Sequence, residues 1–496
     1  MGVMRFLVQP AELLRDWPEV HRAYISGVDQ SVWPTRIELD GNQILCRRQA
    51  SDSGKLHVAW PVPGHGRPIL TTSSLPERDQ PYLLALELAR GKIVQVRNQL
   101  AAWQGAGMAI PADFQTAHAE AQHLFAQATV SQDDLYKSSQ SALASLTRAC
   151  DAADLLTRSY TRQRLESRHR QYPRLPTALG CSLGDVAPSA ATEQLFLSAF
   201  NTASVPIDWK TVEPVEGEYH WEAYDAQVEW CREQGIVMRG GPLIDISPDG
   251  LPRWLWQWEH DFFNLQSFVC DFVQTAVSRY LGKIRLWEVA ARMNTGGALA
   301  LNEEQRLTLI AKTLEVARQV DEESQFLVRI DQPWGEYQAR GQHKLSPMYF
   351  ADALIRAGLG LAAIVLEIAV CYTPRGSGSR DLLDFSRLID QWSSLGIPLH
   401  LSLAFPSSTT HDDRVTTDLE VETGAWRQTP AEEAQADWIE DYLPLLMAKP
   451  SIVGISWTHF GDGAKHRFPH AGLLRPDDTP KPALERIAGY RKQYWG

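Results

Sequence analysis

Residues 36–46 alternate apolar and polar side chains on both sides of Asp40-Gly41. That is the pattern of a β-hairpin. Residues 55–62 and 68–72 predict further strands. From Pro81 the period changes, and Leu84, Leu88, Ile93, Val96 and Leu100 fall near helical spacing. Residues 112–128 and 132–170 continue as helices, the last one long. Pro173 and Pro176 end the helical region after the run Arg162, Arg164, Arg168, Arg170, which reads as a solvated helix face. A boundary is placed there. It separates a β-plus-helical domain, 1–172, from a second domain, 173–496.

The second domain alternates β and α patterns. Its expected strands are 178–183, 203–207, 236–244, 284–289, 326–330, 363–370, 398–405 and 452–457. A helical pattern follows each: about 190–200, 221–234, 264–280, 303–320, 347–358, 381–394, 431–448 and 481–493. Eight βα units argue for an α/β fold of the (β/α)8 TIM barrel type. A doubly wound open sheet is the structural alternative. No Gly-x-Gly-x-x-Gly or phosphate-loop motif follows the first strand, so nucleotide binding has no support.

Composition narrows the function. The chain has 48 basic and 60 acidic residues and a net charge of −12, which argues against a nucleic-acid footprint. No apolar run reaches the ~20 residues of a membrane span. The first residues lack a signal peptide's apolar core, which predicts a cytoplasmic protein acting on oligosaccharides rather than intact polymer. The six cysteines, without a CxxC, read as reduced thiols. His411-Asp412-Asp413 looks like a metal cluster, but adjacent residues on a loop rarely converge on one ion, and no His/Glu spacing supports zinc, so neither metal nor cofactor is expected. The 17 tryptophans suggest flat apolar surfaces with polar edges, such as those that stack on sugar rings.

In a (β/α)8 barrel the site lies at the C-terminal strand ends. Those ends carry Asp208-Trp209, Arg239 to Asp245, Glu288 to Asn294, Arg329-Ile-Asp331 with Trp334, Glu367, His400, and Trp457-Thr-His459. Several blocks resemble family 10 glycoside hydrolases, the xylanase-type barrels. They include Trp209 to Trp221 with Gly217-x-Tyr219-x-Trp221, Tyr280-Leu-Gly-Lys-Ile-Arg-Leu-Trp-Glu-Val289, and Gly472-Leu-Leu-x3-Asp478-Thr-Pro-Lys-Pro-Ala483. The resemblance spans roughly 177–493. It implies retaining hydrolysis by a glutamate acid/base on strand four and a glutamate nucleophile on strand seven.

At the positions matching the family's Asn-Glu acid/base pair stand Ala291 and Arg292. Ser402 and Leu403 stand where its Thr-Glu nucleophile pair would be, and Gly241 replaces its sugar-binding His. Arginine does not donate a proton usefully near neutral pH, and leucine cannot attack. The remaining central acids, Glu367, Asp331 and Glu288, are the candidate catalytic carboxyls. Alternatively they form a buried ion-pair network with Arg292 and Arg329. Asp208, Trp209, Asp245, Arg292, Asn294, Trp334, Trp457 and His459 are the candidate substrate contacts. Loop residues Arg375 and Arg380 are offered as a lid over an acidic sugar, or as part of a mobile solvated loop. The functional expectation is a divergent glycoside hydrolase acting on a poly- or oligosaccharide in a Trp-lined cleft. The alternatives are a non-catalytic glycan-binding pseudoenzyme and a structural scaffold. A homo-oligomer through the N-terminal helices is a further expectation.

Overall fold

The structure is a computed structural model describing residues 2–15, 17–341 and 343–496. Its larger part is built on eight parallel strands: β1 (Ala178–Ser182), β2 (Thr202–Val205), β3 (Val237–Gly240), β4 (Leu286–Ala291), β5 (Gln325–Asp331), β6 (Ala363–Ala369), β7 (Leu399–Ala404) and β8 (Ile452–Trp457). Each pairs with its sequence neighbour, β8 pairs with β1, and β3 with β4, so the sheet closes into a barrel. A closed parallel sheet is covered inside and out, so its strands read as near-continuous apolar runs. All seven residues of Ala363–Ala369 are buried.

Helices follow the strands closely. Glu303–Val320 begins at Asn302, whose side chain accepts from the Gln305 N–H while Gln305 caps the Asn302 N–H in return. The strand expected over 236–244 is interrupted instead. It pairs as β3, breaks at Gly241-Pro242, and resumes as a short strand, Ile244–Asp245, on the edge of β4. Gly241 has φ +97°, and a Cβ there would lie 2.2 Å from the Glu288 carbonyl oxygen. The close backbone approach excludes a histidine at this position.

The N-terminal part holds two four-stranded sheets and three helices, Leu84–Gly105, Ala112–Val130 and Leu135–Gln171. The expected hairpin is present as Arg36–Asp40 paired with Gln43–Arg48. A core that includes Phe6, Trp60, Leu84 and Leu146 lies between these sheets and helices. The 37-residue helix also packs on the barrel. Arg168, expected in solvent, is buried and donates to the Met447 carbonyl oxygen, and Arg158 pairs with Asp441 at 2.6 Å. The loop offered as a lid is part of the seam between the two parts. Arg380 is buried and donates to the Tyr24 hydroxyl at 3.0 Å and to Glu336 at 2.6 Å, and the Ile69 N–H donates to Ser379. No helix among the described residues is long and apolar enough to cross a membrane.

Candidate functional site

A cavity of about 490 Å³ opens at the C-terminal ends of the strands. Small residues hollow it out: Ser182 on β1, Ser204 on β2, Ser402 on β7 and Ser456 on β8. Arg239, Arg292, Arg329 and Arg467 supply cationic walls, and Asp185, Asp208 and Asp245 supply acidic ones. Trp457, Tyr224 and Phe468 are its aromatic surfaces. Such a volume suits a small ligand, with a few polar groups fixing its orientation.

Beside the cavity lies an ion-pair network. Arg292 Nη2 donates to both carboxylate oxygens of Glu367, at 2.8 and 2.6 Å, and its Nη1 donates to Asp245 at 2.5 Å. Arg329 bridges Glu367 at 2.7 Å and Glu288 at 2.5 Å. Arg239 approaches Glu288 at 3.6 Å. Strand register explains the convergence. Asp331 sits opposite Glu367, and Glu367 opposite Ser402, so inward positions of adjacent strands form one layer. Arg292 itself has φ +59°, a left-handed backbone that a non-glycine residue adopts at a cost of about 1–2 kcal/mol.

The network divides the acids. Burial alone would push Glu367 upward, but Arg292, Arg329 and Arg467 together outweigh it and hold the carboxyl down at about 2. An acid so firmly ionised has no proton to donate near neutral pH. Glu288 is fully buried among arginines and does not line the cavity. Asp331 is pushed up to about 6 by burial and by the Glu367 charge, and it too lies outside the cavity lining. Glu288 and Glu367 thus stand in the buried ion-pair network that was the alternative reading of these acids.

Two acids in the cavity itself have opposed environments. Burial raises Asp208 to about 6, against the pull of Lys210 and a hydrogen bond from Thr211. Asp245 is drawn below the ordinary carboxylate range because Arg292 and Arg467 overcome its burial.

Of the other candidate contacts, Trp457 and His459 line the cavity and three residues do not. Trp209 is 1% exposed, stacks on Phe272 at 4.7 Å and donates its indole N–H to Glu213 at 2.7 Å. It is packing, because its ring turns outward toward the helices. Trp334 lines a separate cavity of about 320 Å³ with Tyr24 and His57, beneath the N-terminal sheet. Arg380 lies over its ring at 5.0 Å. Asn294 is buried and exchanges hydrogen bonds with the Asp331 backbone at 2.8 and 3.0 Å, tying the ends of β4 and β5 together. The cleft is therefore lined by one tryptophan rather than three.

Arg467 and Asp185 escaped the sequence reading. Arg467 stands in the loop after β8, and only its place in the basic run Lys465-His466-Arg467 marked it. Its half-buried guanidinium donates to Ser247 Oγ at 3.2 Å and lies 3.8 Å from Asp245.

A second cluster stands in the same wall. His459, Asp462 and His466 each offer a donor atom within 4.8 Å of the others. Burial holds the His459 imidazole down at about 3, so it stays neutral. Asp412, in the long loop after β7, reaches His466.

With this geometry in place, relatives become informative. The model of glycosyl hydrolase family 10 matches residues 178–328, the first half of the barrel. Endo-1,4-beta-xylanase 5 of Arabidopsis thaliana is 27% identical over 114 residues, 22% of this chain and 20% of that protein. Endo-1,4-beta-xylanase B of Thermotoga neapolitana is 28% identical over 81 residues, 16% of this chain and 23% of that protein. The matched segments thus span about a fifth of these relatives. Among solved structures, a family 10 protein from Paenibacillus barcinonensis has a TM-score of 0.48 at 17% identity, covering 67% of this chain and 97% of that one. Xylanase 10B from Thermotoga maritima has a TM-score of 0.48 at 16% identity, covering 66% and 98%. The closed eight-stranded barrel and the matched first half together make this chain's barrel a family 10 glycosyl hydrolase-like (β/α)8 fold.

Proposed function

We propose that the barrel binds a glycan and does not cleave it by the two-glutamate route of the family it resembles. One observation carries this reading. Arg292, which the sequence resemblance aligns with the family's acid/base, is bonded to Glu367 and Asp245 instead of presenting a proton. A retaining hydrolase needs one carboxyl that donates a proton and one that attacks the anomeric carbon. Arg292 cannot do the first, and neither Ser402, which lines the cavity, nor Leu403, which packs on Trp438 and Ile439, can do the second. The cavity nevertheless keeps features that suit a sugar: hydroxyl and charged groups on its walls and the aromatic faces of Trp457, Tyr224 and Phe468.

The xylanase names of the relatives make short xylan-derived oligosaccharides the first probes. Calorimetric titration into the wild type and into Trp457→Ala tests the reading. It expects saturable binding that weakens roughly tenfold or more in the variant. No binding of any glycan, neutral or acidic, sinks it.

A second reading rests on Asp208 and Asp245. Carboxyls pushed apart by their surroundings are the usual mark of an acid paired with an ionised partner. On that reading Asp208, near 6, is the proton donor. Products that form with the wild type and vanish in Asp208→Asn favour it.

A further inference from the structure

We propose that His459, Asp462, His466 and Asp412 form a binding site for one divalent transition-metal ion in the cavity wall. The site does not depend on whether the cavity binds a glycan.

Convergence is the first argument. Donor atoms of His459, Asp462 and His466 lie within 4.8 Å of one another, and all three residues are buried. Asp412 Oδ2 lies 2.8 Å from His466 Nε2. Two ligands bound to one ion at about 2.0–2.2 Å stand roughly 3 Å apart, so the pair needs little movement to share an ion. The His459 and His466 rings stack at 4.8 Å with an interplanar angle of 17°, which keeps the two imidazoles together.

The second argument is a free ligand atom. His459 is 6% exposed, and its Nε2 is buried without a hydrogen-bond partner. That nitrogen lies 3.8 Å from Asp462 Oδ1. A buried polar atom left unpaired is destabilising, and a metal bond removes the deficit.

The third is the support around the ligands. His466 Nδ1 faces the Ala464 carbonyl oxygen at 2.9 Å. Nε2 faces Asp412, and a metal bound there takes the place of the proton that Nε2 shares with the carboxylate. Metal-bound histidines are held this way by a backbone carbonyl on the far nitrogen. Asp462 is oriented by the Gly472 N–H on Oδ1 at 2.7 Å and by Lys481 on Oδ2, which leaves a lone pair on Oδ1.

Two imidazoles and two carboxylates suit zinc, cobalt or ferrous ions. Calcium and magnesium prefer all-oxygen sites. The ligands come from two loops 54 residues apart at the Asp412–His466 contact, so no short motif announces them.

The test uses the full chain, stripped with chelator and titrated with zinc chloride by calorimetry and with cobalt chloride by visible absorption. The expectation is one ion per chain and cobalt bands of a site with nitrogen ligands. His459→Gln and His466→Gln each lower affinity by roughly 10–100-fold. Asp412→Asn, outside the barrel strands, probes the same site should a histidine variant fold poorly. His220→Gln, on an exposed loop, leaves binding unchanged. No stoichiometric binding to the folded wild type overturns the proposal. So does binding that survives in His459→Gln and Asp412→Asn.

Discussion

The Arg292 guanidinium donates to both carboxylate oxygens of Glu367, at 2.6 and 2.8 Å, in a site from which water is nearly excluded. Removing one partner of such a pair leaves the other charged and unpaired, at a cost of about 3–5 kcal/mol. Arg292→Ala and Glu367→Ala are each expected to lose that much in denaturant unfolding. Replacing a buried pair by apolar side chains of similar volume is often close to neutral. Arg292→Met with Glu367→Leu is thus expected to be more stable than Arg292→Ala alone. Equal losses in the single and double variants contradict the coupling.

Restoring the family's glutamates one-for-one is expected to fail. Arg292→Glu takes a cation from Glu367 and Asp245 and adds a carboxylate beside them, and Leu403→Glu puts another among the apolar side chains of Leu179, Trp438 and Ile439. Expression and thermal stability of this double variant are expected to fall sharply. Adding Glu367→Gln removes one of the clustered charges, and solubility and melting temperature are expected to recover in part. A stable, active double variant contradicts the role given to Arg292.

Stability is expected to depend on pH in two opposed steps. Asp331, Asp208 and Asp154 stand at about 6 in the folded chain, against an unfolded value of about 3.9. The stabilisation they contribute is present below pH ~4 and is lost as pH rises through about 6. Glu367, held at about 2 against about 4.3 unfolded, runs the other way. Its contribution is present above pH ~4 and is lost as pH falls toward 2. Melting temperature therefore rises from about pH 2 to 4 and declines from about 4 to 6. Asp331→Asn is expected to melt higher than the wild type at pH 7, by the equivalent of roughly 1–3 kcal/mol, with the gap closing near pH 4. A gap that is independent of pH contradicts the assignment.

Trp209 and Trp457 are expected to behave differently. Trp209→Ala removes a buried ring that stacks on Phe272, and a loss of about 3–5 kcal/mol in unfolding is expected. Ligand affinity of the folded fraction is expected to be unchanged. Trp457 is 4% exposed and donates its indole N–H to the Ala471 carbonyl oxygen at 2.6 Å, so Trp457→Ala is expected to lose stability as well and, unlike Trp209→Ala, to weaken glycan binding in the folded fraction. Intrinsic fluorescence with a titrated oligosaccharide reads both. Equal affinity losses in the two variants contradict the placement of Trp209.

The eight βα units were legible because each strand and helix repeats its period, whereas closure, set against an open sheet, is fixed by the pairing of β8 with β1. The interruption at Gly241 was not, because it depends on how closely Glu288's carbonyl approaches from β4. The expectation that both family glutamates are missing rests on the sequence resemblance alone, at Arg292 and at Ser402-Leu403. The partners of Arg292 and Arg329 were legible as one of two readings, because neighbouring inward positions on parallel strands must meet. Trp209 was misassigned because a strand-end position does not say on which side of the barrel wall a ring turns. His459 beside Asp462 and Asp412 beside His411 were each legible, but not their convergence, because Asp412 comes from a different loop.

A panel of neutral and acidic oligosaccharides, incubated with the full chain and followed for both binding and released reducing ends, tests the central claim most directly. The expected result is saturable binding to at least one glycan, with no product above the level of a buffer control. Turnover that persists in purified protein and is abolished by Asp208→Asn contradicts it.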